Sequence, residues 1–245
     1  MAKQEKLAVI IGASSGLAQS VIQERLNDTT CTYRIHGVSS RPPSFQHSNL
    51  TWSTLDYEDD QIAQVCDAIV TEYAEQGLNE VMVFNGQLHS NVLSPEKRIG
   101  DLESDAFVKV MRANALIPML FLKHLLPCLS NRKPCKVMAL SARVGSIEDN
   151  QLGGWYSYRS SKAALNMMLK TFSVELNRKA HPSAIIAYHP GTTDTRLSEP
   201  FQRNVPKHAL FSRKQSAQYL LSVFDQTTID GEMHYVDWKG EKIDW

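Results

Sequence analysis

The chain has four cysteines, Cys31, Cys66, Cys128 and Cys135, with no C-x-x-C spacing and no histidine at ligand spacing. Neither a disulfide framework nor a resident metal site is expected, and free or buried thiols in a reducing cytoplasm are. An excess of either charge is also missing, since 26 Lys and Arg balance 26 Asp and Glu. No global field therefore points to nucleic acid or an anionic membrane as partner. Long apolar runs are lacking as well. The longest, Leu116 to Leu122, contains Pro118 and is far too short to span a bilayer. The opening Met-Ala-Lys-Gln-Glu-Lys runs into a strand-like segment without the h-region of a signal peptide. No repeat, low-complexity tract or linker divides the chain. The expectation is a soluble cytoplasmic protein whose 245 residues, 42% of them apolar, form a single α/β domain over 1–245.

What is present is an alternation of strands and helices. Short apolar runs occur at Leu7–Ile11, Cys31–Val38, Leu50–Leu55, Glu80–Phe84, Pro134–Leu140, Ser183–Tyr188 and Glu232–Val236. Between them lie helical patterns near 17–26, 58–76, 104–129, 155–179 and 214–225. Unbroken apolar strands separated by helices imply a parallel, doubly wound sheet covered on both faces.

The polar motifs fall after strands, on the edge where open α/β sheets bind ligands. After the first strand comes Gly12-Ala-Ser14-Ser15-Gly16-Leu17-Ala18, opening a helix. Strand, glycine-rich turn and helix N-terminus in that order form a phosphate site, because free N–H groups and the helix dipole face an anion that glycine lets approach. The second strand ends in Ser39-Ser40-Arg41, with no carboxylate between Asp28 and Asp56. Hydroxyls and a guanidinium there favour a 2′-phosphate, hence NADP(H) over NAD(H). Asp56, after the third strand, is either a helix cap or a partner for the adenine amino group. The fourth strand breaks at Asn85-Gly86, and the fifth ends at Ser141. Asn114 sits in mid-helix with Pro118 four residues on, which frees the Asn114 carbonyl and opens a place for a water. Tyr158 and Lys162, also four residues apart, share one helical face. An ammonium near a phenol lowers its pKa and makes a usable proton donor and acceptor. His189-Pro190-Gly191 ends the sixth strand, and the segment 192–213 reads as a mobile lid. Phe201, Leu210 and Phe211 in the lid, with Trp155 and Tyr156, are expected to wall an apolar pocket.

Taken together, Gly12-x-x-x-Gly16-x-Ala18, Asn85-Gly86, Asn114, Ser141 with Gly145, Tyr158-x-x-x-Lys162 and Pro190-Gly191 followed by Thr195 resemble the short-chain dehydrogenase/reductase family over essentially the whole chain. The runs Val137–Ile147 and Gly153–Lys162 are similar to its C-factor-like and carbonyl-reductase-like branch. The resemblance implies a single Rossmann-type sheet of about seven strands with helices on both faces. It also implies hydride transfer between NADP(H) and a carbonyl or alcohol. Tyr158 would exchange the proton and Lys162 would bind the nicotinamide ribose. Asn114 would hold a relay water, and a Ser would bond the substrate oxygen. Gly12 to Ala18, including Ser14, Ser15 and Leu17, would carry the pyrophosphate, and Asp56 the adenine. Pro190 to Thr195, including Gly191 and Thr193, would hold the nicotinamide end. A homodimer or homotetramer built on the two long helices is implied too.

Three departures stand out. Ala18 replaces a third glycine, and Phe-Asn85-Gly86-Gln abbreviates the family's Asn-Asn-Ala-Gly. Counting back from Gly145, the family's catalytic Ser falls on Ala142. Ser141 then serves only if the strand has already ended and the loop re-aims it, because adjacent strand residues face opposite sides; Ser146 is the fallback. The displaced Ser keeps open a second reading, a dinucleotide-binding cell–cell signalling protein with little turnover.

Overall fold

The computed structural model describes residues 3–129 and 133–245. Met1 and Ala2, which open the N-terminal stretch read above as lacking a signal peptide, lie outside the described residues. The first strand, β1 (Gln4–Ile11), shows why its sequence is apolar without a break. Val9 and Ile11 enter one core while Ala8 and Ile10 enter a second core on the opposite face, as the two-residue period of a strand requires.

Six more parallel strands flank it: β2 (Cys31–Ser39), β3 (Leu50–Thr54), β4 (Glu80–Val83), β5 (Cys135–Leu140), β6 (Ser183–His189) and β9 (Met233–Asp237). Their order is β3-β2-β1-β4-β5-β6-β9. The chain therefore reverses its direction of travel between β1 and β4, which opens a crevice at the C-terminal ends of those strands. Helices α1 (Gly16–Leu26) and α6 (Arg213–Gln226) cover one face through Val21, Ile22, Leu220 and Phe224. On the other lie α2 (Asp59–Tyr73), α4 (Ile117–Leu129) and α5 (Tyr156–Arg178), through Ile62, Phe121, Leu125 and Leu169.

One expectation needs correction. The helix read over 104–129 is three pieces: α3 (Ser104–Met111), a π-helical turn at Arg112–Leu116, and α4. The Ile117 amide donates to the Arg112 carbonyl, five residues back, and Pro118 has no N–H to return to Asn114. The segment 192–213 holds structure of its own. Thr192–Thr193 (β7) pairs in parallel with Leu210–Phe211 (β8), and two short 3-10 turns lie between them.

No helix of the described residues is long and apolar enough to cross a membrane. Among the same residues the four cysteines are free, and no cluster of three or more His, Cys, Asp or Glu could hold a metal.

Candidate active site

The crevice begins at the turn after β1. Gly12 has φ +73°, and a Cβ on it would meet the backbone of Phe84 and Asn85 at 2.9 Å. Only glycine lets β1 and β4 diverge from so close an approach. Ser15 caps α1 by accepting the Ala18 amide (3.2 Å), which leaves the Gly16 and Leu17 amides as unspent first-turn donors. Leu17 itself is buried in the α1 core. Beside the turn, the Asn85 side-chain oxygen is buried without a protein partner. A tight glycine turn, unspent amides and an orphaned buried acceptor fit a bound dinucleotide.

Ser39 belongs to the frame of that cradle, since its hydroxyl bonds Ser14 Oγ and accepts the Ser14 amide. Arg41 reaches back over the turn, donating from Nε to Ser14 Oγ and from Nη2 to the Ser14 carbonyl, both at 3.2 Å. The Trp52 indole holds Arg41 in place through the Arg41 carbonyl (3.0 Å). Ser40 and Arg41 are exposed beside each other. Asp56 is not a helix cap: Glu58 occupies that position in α2, and the exposed Asp56 carboxylate stays clear of protein partners among the described residues. Sequence reasoning missed Tyr57. It has the left-handed φ of 64°, and its ring meets Phe121 edge-on. Burial raises its phenol pKa, partly offset by Asn85, Ser39 and Gly12.

Tyr158 and Lys162 occupy one face of α5, both nearly inaccessible (8% and 2% exposed). Lys162 donates to the Leu140 carbonyl at 2.7 Å and lies 5.7 Å from the centre of the Tyr158 ring. Gly145 permits this, because a Cβ there would stand 2.8 Å from the Lys162 Cβ. The expected lowering of the Tyr158 pKa is not what the site produces. Burial pushes the phenol above its ordinary value, and burial pushes Lys162 down to about 8. The ammonium serves the end of β5 rather than the phenol oxygen.

Asn114 lies in the π turn, fully buried. Its side chain accepts the Gln87 amide (2.6 Å) and donates to the Gln87 carbonyl (2.9 Å) and to Ser161 Oγ (2.9 Å). Gly86 separates it from Lys162, for a Cβ on Gly86 would be 3.8 Å from Asn114 Oδ1 and 3.7 Å from Lys162 Nζ. Both ends of the amide are thus bound to protein.

Ser141 is not brought to Tyr158. β5 ends at Leu140, though the Ser141 amide still bonds the Tyr188 carbonyl (2.8 Å). The Ser141 hydroxyl donates to Asn166 Oδ1 (2.6 Å) inside the protein. The fallback residue, Ser146, accepts the Asp149 amide at its Oγ (3.1 Å). Ala142 is the residue that packs with Tyr158 and Leu88. The Tyr158 hydroxyl has no protein hydrogen-bond partner among the described residues.

The apolar wall is partly as expected. Trp155 meets Tyr158 and Phe201 at ring distances of 6.1 and 5.0 Å, and His89 joins through Phe201. Phe211 instead packs on Trp238 and Tyr219, over Gly191 (φ +68°); Leu210 pairs with Thr192, and Tyr156 is partly exposed. Thr193 spends its hydroxyl on Ser216 (2.7 Å). Pro190 and Thr195 flank it, half-buried.

Glu96 is the second residue missed. Trp155 starts α5 in a left-handed conformation with no side-chain cap of its own. The Glu96 carbonyl accepts the Trp155 amide, and its buried carboxylate accepts the Ser157 amide (3.2 Å) and hydroxyl. A cap supplied from 61 residues upstream leaves no local signature.

Residues 6–206 match the sequence model of the short chain dehydrogenase family. The chain is 25% identical over 241 residues to the 1-hydroxy-2-glutathionyl-2-methyl-3-butene dehydrogenase of Rhodococcus sp. (strain AD45), covering 97% of this chain and 98% of that protein. It is 28% identical over 147 residues to the C-signal of Myxococcus xanthus, covering 60% of this chain and 83% of that protein. Among solved structures, the carbonyl reductase Sniffer of D. melanogaster superposes with a TM-score of 0.84 at 21% identity, over 99% of this chain and 100% of that one.

Proposed function

The chain belongs to the short-chain dehydrogenase family and is an oxidoreductase; from that premise we propose that it reduces a small or medium apolar carbonyl compound with NADPH, with Tyr158 as proton donor. The observation that carries the reading is the buried Tyr158–Lys162 pair beside the glycine cradle at one sheet edge. A nicotinamide dinucleotide bound there would supply the hydride. Gly12, Ser14, Ser15, Gly16 and Leu17 would hold its pyrophosphate. Ser40 and Arg41 would take the 2′-phosphate, with Asp56 and Asn85 toward the adenosine and Pro190 to Thr195 toward the nicotinamide.

The protein's part is positioning and proton supply. A phenol whose pKa is raised by burial stays protonated at neutral pH and can give a proton to a carbonyl oxygen as charge develops on it. Trp155, Phe201 and Leu88 exclude water beside the phenol and select for apolar bulk. Val108, Leu116, Met167 and Val174 are exposed on the long helices, which suits assembly through those faces.

The test is NADPH consumption against a panel of carbonyl compounds, with Tyr158→Phe as control. Its pH dependence is also set. Lys162, held at about 8, loses its ammonium above that value, so kcat/KM for reduction is expected to fall as pH rises through about 8. Lys162→Met should abolish that limb. Folding stability should run the other way: the folded chain binds fewer protons between about 8 and 10.5, so stability rises with pH there.

A second reading has one observation behind it. With Ala142 where a hydroxyl would assist Tyr158, turnover is weakened, and the C-signal relative suggests a dinucleotide-binding signalling role. Tight NADPH binding without turnover on any carbonyl would favour that reading.

A further inference from the structure

The glycine-rich turn carries more positive potential than the protein itself uses. α1 has no acidic residue in its first turn, nor has α6, although each helix N-terminus bears about half a positive charge. Arg213, the first residue of α6, lies against the N-terminus of α1. A Cβ on Gly16 would meet Arg213 Nε at 2.8 Å and Cζ at 3.0 Å. Arg213 is exposed, and a guanidinium beside the positive ends of two helices adds to a field that attracts an anion from solvent. The protein supplies none. Among the described residues Arg213 makes no ion pair. Its hydrogen bond, from Nε, goes to the Asp194 carbonyl (3.1 Å). Both Nη atoms remain available for the bidentate contact that guanidinium makes with phosphate.

We infer that Arg213 is a ligand of the dinucleotide pyrophosphate, closing over the glycine-rich turn at Gly16. The inference rests on the dinucleotide reading above and adds a residue to it. The two guanidiniums divide the anion between them. Arg41 lies over Ser14 and addresses the 2′-phosphate, while Arg213 lies over Gly16 and addresses the diphosphate. Arg213 also stands where the segment 192–213 rejoins the sheet: its Nε holds Asp194, whose amide donates to the Phe211 carbonyl (2.8 Å). Diphosphate bound by Arg213 therefore fixes both ends of that segment, tying cofactor binding to the order of the substrate wall that carries Phe201.

The experiment measures dissociation constants for NADPH, NADH and adenosine 2′-phosphate, which lacks a diphosphate, on the full chain. Arg213→Met is expected to weaken NADPH and NADH alike by about 10- to 100-fold, the worth of a charge-assisted contact, and to spare adenosine 2′-phosphate. Arg213→Lys, which keeps the charge and loses the fork, should fall between. Arg41→Ala should weaken NADPH and adenosine 2′-phosphate and spare NADH. If Arg213→Met leaves both dinucleotides at wild-type affinity, or weakens adenosine 2′-phosphate as much as NADPH, the assignment of Arg213 is overturned while the dinucleotide reading stands. A wild-type chain that binds neither dinucleotide overturns both.

Discussion

Replacing Arg25 with methionine is expected to cost about 3–5 kcal/mol of folding stability, read as a lower urea midpoint. Arg25 is 4% exposed and Glu80 is 3% exposed, at the edge of the sheet opposite the active site. Arg25 Nε bonds Glu80 Oε2 (3.1 Å), and its two Nη atoms bond the Asp225 carboxylate at 3.0 and 2.6 Å. Tyr33 completes the group by donating to Glu80 Oε1 (2.8 Å). One side chain thus ties α1 to β4 and to α6. Burial raises the Glu80 pKa, and Arg25 is the largest influence opposing it. Without Arg25 the carboxylate is left buried and poorly compensated, and its pKa rises further. The deficit should therefore be greatest at neutral pH and shrink as acid protonates Glu80. A second substitution, Glu80→Gln, should restore much of the loss in the Arg25→Met background. A loss below about 1 kcal/mol, the scale of a surface pair, or no recovery in the double variant, would show that the buried charge is not what these helices depend on.

Ala142→Ser is expected to raise kcat/KM for carbonyl reduction by about 10- to 100-fold, as a second donor aimed at the developing oxyanion should. Ala142 is extended (φ −157°, ψ 146°) and packs with Tyr158 and Leu88, so a hydroxyl on its Cβ enters the site where the phenol has no partner. Ser141→Ala, by contrast, should leave kcat/KM nearly unchanged. It should instead lower stability by about 1–2 kcal/mol by stranding the Asn166 carbonyl, whose amide nitrogen already lacks a protein partner. The reverse pattern, activity lost in Ser141→Ala and no gain in Ala142→Ser, would return the catalytic hydroxyl to Ser141.

The seven parallel strands were legible because each is a short apolar run followed by a polar turn, and both faces of a parallel sheet must be apolar. The Tyr158–Lys162 pair, the Gly12–Gly16 turn and the irregularity at Asn114 were legible because each is a local spacing. The π turn that realises the last of these follows from Pro118. The partner of Ser141 is not legible locally, because its hydroxyl bonds Asn166 on α5, 25 residues further along the chain. Glu96 and Arg213 left no trace, since the first caps a helix from a distant loop and the second meets Gly16 from the far end of the chain. Phe211 reads as a pocket wall by composition alone, and only its packing on Trp238 reveals otherwise.

In the proposed function Tyr158 gives the proton while Lys162 and the glycine cradle position the reactants. The direct measurement is kcat for NADPH-dependent reduction of a carbonyl substrate by wild type and by Tyr158→Phe, with the NADPH dissociation constant of each determined alongside. Phenylalanine keeps the ring that packs with Trp155, Leu88 and Ala142 and removes only the hydroxyl. In Tyr158→Phe, kcat is expected to fall by about 10²- to 10⁴-fold while NADPH affinity is unchanged. Turnover retained by Tyr158→Phe would contradict the proton-donor role.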